Sequence, residues 1–297
     1  MRQRGRWLAA VLTTVALLGV ACGDDNGGGG GTPQPTGQFP AGSTMAELQA
    51  AGEVVIGVKF DVPPFGFTNP QTDEVEGFDV DLGKAIADEL GVEARFVEAI
   101  SDNRIPFLQD GTVDIILSTM TITTDRDAEI DFSEPYYVAE GRVLVPEDSD
   151  ITGVGDLGGR TVCTALGSTY EENLKENAPD AELRLVDTYS ECFELVQNGA
   201  VDAVSTDDVI LTGMIIQDDT LKLVGEGYTT EPYGAGIAEG DTEFQEFVSE
   251  VIADVKSDGR WEQLYEEWIG QYTGEPAEVP TMTLEEALEL RPCVDTC

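Results

Sequence analysis

Short apolar runs alternate with longer segments of mixed polarity over most of this chain. The runs at 54–58 and 113–117 are rich in valine and isoleucine and predict strands. A third strand is expected at 92–97. The segment 79–90 has apolar residues at three- and four-residue spacing and stops before Gly91, which predicts a helix. Strands that alternate with helices predict an α/β protein whose helices cover largely parallel sheets.

The alternation occurs a second time in the C-terminal half. Strands are expected at 161–163, 183–186, 203–205 and 221–224, and helices at 168–177, 190–198, 208–216, 242–256 and 261–269. The pattern breaks near 145–148 and again in the glycine-rich stretch 225–234. These breaks predict a discontinuous first lobe at 45–145 plus 230–273, an inserted second lobe at 146–229, and a C-terminal tail at 274–297. A ligand cleft is expected between the lobes, with hinges near 145–147 and 228–231.

The N-terminus carries the features of an export signal. Arg2, Arg4 and Arg6 precede an uncharged, mostly apolar run at 7–21, which is too short to span a bilayer and is typical of a secretory signal. The run ends at Cys22 and resembles a bacterial lipobox, although glycine stands at 19 where a branched aliphatic residue is usual. A glycine- and proline-rich stretch follows, so 1–21 is predicted to be a signal peptide and 22–44 a lipid-anchored tether. The alternative is ordinary cleavage and a soluble secreted protein.

The charge balance excludes several classes of protein. The chain has 16 basic and 58 acidic residues and a net charge of −42, so phosphate backbones would be repelled and nucleic-acid binding is excluded. It has no histidine, which rules out histidine-based nucleophilic catalysis and disfavours a zinc site. We therefore expect no metal and no cofactor.

The cysteine count fits an exported protein. Five cysteines are present, and lipidation of Cys22 would leave four. An even remainder predicts two disulfides. Three pairings are open, of which the simplest joins Cys163 to Cys192 and Cys293 to Cys297.

Several motifs occur in a fixed order between 54 and 269. They are GFDVDL at 77–82, DIILSTMTITTDR at 114–126, DFSEPYY at 131–137, GST at 167–169, VDAVSTDD at 201–208 and EPYG at 231–234. Together they resemble the family 3 extracellular solute-binding proteins, the polar amino-acid receptors of ABC importers. The resemblance implies a two-lobed periplasmic-binding-protein type II fold, each lobe a mostly parallel sheet flanked by helices. It also implies a monomer, lipid-anchored to the outer face of the cytoplasmic membrane, that delivers a free amino acid to ABC permease subunits.

The resemblance also assigns the groups that hold the amino acid. Arg126 would bind the α-carboxylate as a bidentate cation, and Asp207 would bind the α-ammonium from the other lobe. Further donors to the carboxylate would come from two segments, and they are Ser118, Thr119, Thr121, Ser168 and Thr169. The alternatives are a surface ion pair of Arg126 with a neighbouring aspartate, an ordinary strand end at 118–121, and plain helix caps at Asp207, Ser168 and Thr169.

A second group of residues would contact the ligand side chain. Lys59 follows the first strand and Arg104 lies in a short helix, and two cations here resemble the aspartate- and glutamate-binding branch of the family. Tyr189 is expected against the methylenes of the ligand. The alternatives are a solvated lysine, a pair of Arg104 with Asp102, and a core tyrosine. The resemblance thus predicts a glutamate or aspartate receptor that is not an enzyme. The alternatives are a glutamine or other polar amino-acid receptor, and a dehydratase-type enzyme on the same fold.

Overall fold

The computed structural model describes residues 39–290. The predicted signal peptide, most of the tether, Cys22, Cys293 and Cys297 lie outside the described residues, so these expectations stay predictions. Within 39–290, every helix is too short or too polar to cross a membrane.

The secondary structure follows the alternation expected from the sequence. The strands are β1 Glu53–Val58, β2 Asp61–Val62, β3 Gly66–Thr68, β4 Val75–Glu76, β5 Glu93–Glu98, β6 Ile115–Ile116, β7 Ile130–Phe132, β8 Tyr137–Pro146, β9 Thr161–Ala165, β10 Glu182–Val186, β11 Ala203–Asp207, β12 Leu221–Tyr233 and β13 Gly236–Ala238. The helices are α1 Thr44–Ala51, α2 Phe78–Leu90, α3 Arg104–Gln109, α4 Thr124–Asp127, α5 Tyr170–Asn177, α6 Tyr189–Gln197, α7 Asp208–Gln217, α8 Thr242–Ser257, α9 Arg260–Tyr265, α10 Gln271–Thr273 and α11 Leu284–Leu290. A 3₁₀ turn covers Val154–Asp156 and a π-helical turn covers Glu266–Gly270.

Two five-stranded sheets organise these elements. The first has the order β5-β1-β6-β13-β7, with β1 parallel to β5 and β6 and with β13 antiparallel to its neighbours. The second has the order β10-β9-β11-β8-β12, with β9 parallel to β10 and β11 and with β8 antiparallel to β11 and β12. We call each sheet with its helices a lobe. The predicted fold class, two mainly parallel sheets flanked by helices, is confirmed.

Helix α2 illustrates how the sequence pattern builds the first lobe. Its apolar positions Phe78, Leu82, Ile86 and Leu90 are all fully buried, because three- and four-residue spacing places them on one face. Gly91 ends the helix in the left-handed conformation that glycine adopts most easily. This face packs on β1 and β5, so the first turn of α2 lies beside the ends of those strands.

The chain crosses between the lobes at two short segments. Strand β7 belongs to the first sheet and β8 to the second, so the first crossing is 133–136. Strand β12 belongs to the second sheet and β13 to the first, so the second crossing is 234–235. The sequence analysis placed the first boundary at 145, because Pro146 interrupts the pattern. In the structure Pro146 is the last residue of β8, and the whole of β8 belongs to the second sheet. Pro146 therefore does not mark the crossing.

Aromatic rings pack around both crossings. Phe65 and Phe78 approach to 5.4 Å between ring centroids, and Tyr137 and Tyr233, which lie on the two crossing strands, approach to 5.7 Å. Trp261 packs edge-on against Phe78, and its indole N–H donates to the carbonyl of Tyr136 at 2.7 Å. The two crossings therefore pass through one buried aromatic cluster.

The tail after Gly274 returns to the first lobe. Its helix α11 buries Ala287 completely against the same apolar cluster as Ile130 and Phe132. The backbone N–H of Leu284 donates to Glu134 Oε2 at 2.8 Å, so the start of α11 is tied to the first crossing.

The second lobe contains a disulfide between Cys163 in β9 and Cys192 in α6. Both residues are fully buried, and the bond joins α6 to β9, which is an inner strand of the second sheet. This is the pairing of sequence neighbours that the cysteine count suggested as simplest.

Removal of this disulfide is expected to destabilise the second lobe. The two cysteines are 29 residues apart, and closing a loop of that size reduces the entropy of the unfolded chain by an amount worth roughly 3–4 kcal/mol. The double variant Cys163→Ala/Cys192→Ala should show a lower free energy of unfolding by about this amount in guanidinium titrations. A reductant should have the same effect on the parent protein and none on the variant. Equal midpoints for parent and variant would contradict the prediction.

Candidate ligand-binding site between the two lobes

The candidate site residues lie where strands of both sheets end. Lys59 follows β1, the loop 118–121 follows β6, and Asp207 is the last residue of β11. Arg126 lies in α4, just beyond that loop. Because the carboxyl ends of strands in the two lobes face one cleft, the fold brings together side chains that are far apart in sequence.

Arg126 lies at the lobe boundary. Its Nη1 donates to the carbonyl of Thr121 at 2.7 Å, and its Nη2 donates to the carbonyl of Gly167 in the second lobe at 3.0 Å. Burial, and then the charge of Arg104, lower its pKa. The side chain therefore reaches the second lobe, which a surface residue paired only with its sequence neighbours would not do.

Arg104 is buried, and most of its hydrogen-bonding capacity is used by the protein. Nε donates to the carbonyl of Ser101, Nη1 to those of Ser118 and Thr119, and Nη2 to that of Gly167. A guanidinium has five N–H groups, and these four bonds leave one for a ligand. Arg104 thus organises the loop 118–121 and contacts the second lobe, whereas the sequence analysis expected it to serve the ligand side chain. Its alternative pairing with Asp102 is absent from the ion pairs of the described residues.

Lys59 is a buried cation whose ammonium has three N–H donors, one of which is used by Ser101. It is 2% exposed, so it is not the solvated strand-end lysine of the alternative interpretation. Its Nζ donates to Ser101 Oγ at 2.7 Å and lies 5.7 Å from the centre of the Tyr189 ring. Among residues 39–290 it makes no ion pair with a carboxylate. Burial, and then the charge of Arg104, lower its pKa well below the usual value, so an anion beside it would be strongly favoured.

Tyr189 begins helix α6 and is 3% exposed. Burial raises the pKa of its hydroxyl to about 12, so the ring is neutral and can cover the ammonium of Lys59.

Asp207 faces the cleft from the second lobe. It is 3% exposed and accepts a hydrogen bond from the hydroxyl of Tyr170 at 2.8 Å. Burial, and then the nearby Glu231, raise its pKa, so a cationic partner is needed to hold it ionised. Although it precedes α7, its side chain accepts no capping hydrogen bond from that helix. The structure therefore does not support the plain N-cap interpretation.

Four of the five hydroxyl groups predicted for the site donate to protein acceptors. Ser118 donates to the carbonyl of Ala99, and Ser168 to that of Ala165. Thr121 and Thr169 both donate to Glu231 Oε2, at 2.8 and 2.9 Å. A hydroxyl has a single proton to donate, so these side chains cannot also donate to a ligand carboxylate. Arg126 uses two of its five N–H groups in the bonds to Thr121 and Gly167, so it keeps donors for such a group.

The sequence analysis missed Glu231 as a site residue. It is fully buried on β12, and it accepts from Thr121 of the first lobe and from Thr169 and Asn173 of the second. It lies in the quoted motif at 231–234, and the available signal was a carboxylate within that motif. Such a residue is seldom buried unless its oxygens are satisfied.

The lobes are in contact across the site. Gly167, whose carbonyl accepts from Arg104 and Arg126, has a φ of +72°, and a Cβ there would stand 2.6 Å from the Cα of Asp102 in the first lobe. On another part of the boundary, Asp61 Oδ2 accepts from the backbone N–H of Ser190 at 3.0 Å. A groove of ≈ 750 Å³ leads from the surface to Arg126 and is also lined by Thr169, Tyr228 and Leu290.

Comparison with known proteins identifies the family. The model of the bacterial extracellular solute-binding proteins, family 3, matches residues 54–271, a range that includes every candidate ligand-binding residue. The chain belongs to this family. The family resemblance drawn from the sequence motifs is therefore confirmed, and the transport binding proteins among the relatives support the expectation that the chain is not an enzyme.

The solute-binding protein has similar relatives of several kinds. The ABC transporter glutamine-binding protein GlnH of Bacillus subtilis is 38% identical over 275 residues, which cover 91% of this chain and 98% of the relative. The glutamate-binding protein GluB of Corynebacterium efficiens is 33% identical over 282 residues, covering 89% of this chain and 91% of the relative. A solved ancestral arginine-binding protein bound to glutamine has 37% identity and a TM-score of 0.71, and it covers 74% of this chain and 98% of its own.

Proposed function

We propose that this solute-binding protein captures a free amino acid outside the cell and delivers it to the permease of an ABC importer. The observation that carries the proposal is the placement of Arg126 and Asp207 on opposite lobes. An amino acid has a carboxylate for the first and an ammonium for the second, so one ligand can bridge the lobes. The relatives named for binding glutamine and glutamate support this class of ligand.

The proposed ligand is glutamate or aspartate. Beyond the group that would take the α-carboxylate, the first lobe offers Lys59, whose buried ammonium makes no ion pair within 39–290. A buried cation is costly unless an anion accompanies it. A distal carboxylate supplies that anion, whereas the neutral amide of glutamine supplies a hydrogen-bond acceptor alone. The one remaining N–H of Arg104 can add to the same contact.

The proposed mechanism is closure of the lobes around the ligand. The contacts of Arg104 and Arg126 with the carbonyl of Gly167 join the lobes directly, and a bridging amino acid adds its own contacts to both. A ligand that interacts more strongly with the closed arrangement shifts the population towards it. The closed form would then be the one recognised by the permease. The proposal includes export and a lipid on Cys22, which would keep the closed form near that permease.

The ligand is tested by calorimetric titration of the domain from residue 39 with glutamate, aspartate, glutamine and arginine. We expect glutamate or aspartate to bind most tightly, because each adds a second carboxylate for Lys59. In the variant Lys59→Met this preference over glutamine should fall by about tenfold or more, since a charge-assisted hydrogen bond is worth roughly 1.5–3 kcal/mol. Lys84→Met, which removes an exposed lysine of α2, is the matched control.

Two outcomes would change the proposal in different ways. Tight binding of glutamine, with glutamate weaker and the preference unaltered in Lys59→Met, would keep the transport role and reject the dicarboxylic ligand. Absence of binding for all four amino acids would reject the amino-acid receptor itself.

A further inference from the structure

Asp79 is a buried carboxylate that the proposed binding mechanism does not use. It lies in the first turn of α2, within the GFDVDL motif, and is fully buried. Its Oδ2 accepts the backbone N–H of Thr119 at 3.0 Å, and its Oδ1 accepts the hydroxyl of Tyr136 at 2.8 Å. Asp79 therefore joins the ligand-facing loop 118–121 to the first crossing between the lobes.

The backbone of Thr119 needs such a support. Its φ is +45°, in the left-handed region that a residue with a branched side chain seldom adopts. Surrounding contacts must hold a residue in this conformation. The carboxylate of Asp79 holds its N–H, and Nη1 of Arg104 holds its carbonyl at 3.2 Å. The two contacts fix both backbone polar groups of one residue in the loop that faces the cleft.

We propose that Asp79 is a positioning residue for ligand binding, which holds the loop 118–121 in its binding conformation and links it to the crossing segment through Tyr136. This inference rests on the proposed function of the same site. Asp79 would act on the binding site through Thr119 and would make no contact with the ligand itself.

The ionised form of Asp79 is the one that performs this role. In the structure both partners donate to Asp79; protonation would remove the charge that strengthens these bonds and would force the hydroxyl of Tyr136 to turn and accept. The charged groups that face it are Lys59, after β1, and Arg104, on α3, and both favour ionisation. Burial acts in the opposite direction and is the larger effect, so the pKa of Asp79 is raised to about 7. Support for the loop is therefore complete above this pH and declines as the pH falls through it.

The test is the affinity for the best ligand of the panel between about pH 5.5 and about pH 8.5. We expect Asp79→Asn to bind about tenfold more weakly than the parent at pH 8 and to lose the part of the pH dependence centred near pH 7. Asp88→Asn, on the exposed side of the same helix, is the matched control and should follow the parent throughout. Because the pKa of Asp207 is raised and that of Lys59 is lowered in the same site, the informative quantity is the difference between variant and parent.

Tyr136→Phe provides a second, milder variant that keeps the aromatic packing. The hydroxyl of Tyr136 lowers the pKa of Asp79, so its removal should raise that pKa and move the loss of affinity to higher pH. A loss of stability alone would not move this midpoint. If the parent binds a ligand and both variants keep its affinity and its pH midpoint, the role of Asp79 is overturned and the proposed function stands. If the parent binds no amino acid, the proposed function fails first.

Discussion

Replacement of Arg126 by alanine is expected to lower the affinity for the amino acid by about 10²- to 10³-fold. The variant removes the cation proposed for the α-carboxylate, and truncating one partner of a buried, hydrogen-bonded charge pair costs about 2–5 kcal/mol. It also removes the bond from Nη2 to the carbonyl of Gly167, which joins the lobes. Calorimetric titration measures the affinity, and circular dichroism with thermal unfolding reports whether the fold is retained.

Arg95→Ala is the matched control for this variant. Arg95 lies on β5 with about half of its side chain exposed, and it pairs with Glu53 across the surface. Exposed pairs of this kind contribute about 0–1 kcal/mol to stability, and this one is remote from the cleft. An Arg126→Ala protein that binds as tightly as Arg95→Ala would remove Arg126 from the proposed site.

A methyl group at Gly213 is expected to weaken binding while the unliganded fold is kept or stabilised. Gly213 lies inside α7 of the second lobe, and a Cβ on it would overlap the carbonyl oxygen of Pro63 in the first lobe. Alanine favours a helix over glycine by about 1 kcal/mol, so the second lobe by itself should gain stability. The closed arrangement has to shift at this contact at a cost of about 1–3 kcal/mol, which corresponds to a loss of affinity of roughly 5- to 150-fold.

Gly213→Ala is informative because it should lower the affinity for the ligand while it keeps or raises the free energy of unfolding. The affinity is measured by calorimetry, and the free energy of unfolding is measured by denaturant titration without ligand. Ile216→Ala, at a 45% exposed position of the same helix, should leave the affinity unchanged. Retention of full affinity in Gly213→Ala would mean that the contact with Pro63 is not part of the ligand-bound state.

Much of the fold could be predicted because strand runs, helical spacing and ordered motifs are local properties of the sequence. The boundary between the lobes could not be placed in the same way. Strand β8 mixes apolar residues with Glu140 and Arg142, and nothing in its residues tells which of two sheets it will join. That choice depends on its antiparallel pairing with β11 and β12, which lie more than fifty positions away.

The composition of the candidate site was predictable, but the use of each side chain was not. Arg104 and Arg126 were both identified, yet the sequence does not show that Arg104 spends four of its donors on backbone carbonyls. For Thr121 and Thr169 the partner is Glu231, a carboxylate from another part of the chain. Residue types reveal which groups can bind a ligand, whereas hydrogen-bond partners decide which groups remain free to do so.

The position of Trp261 gives the molecule a built-in optical probe. Its indole is buried among the rings at the crossings and is hydrogen-bonded to the peptide carbonyl of Tyr136, in the segment that leads from one lobe to the other. Indole emission depends on the polarity and hydrogen bonding of its surroundings, so any rearrangement of that segment reaches the fluorophore directly. Where ligand exchange rearranges this segment, we expect intrinsic fluorescence to report it in stopped-flow experiments, without a dye and without a change to the cleft.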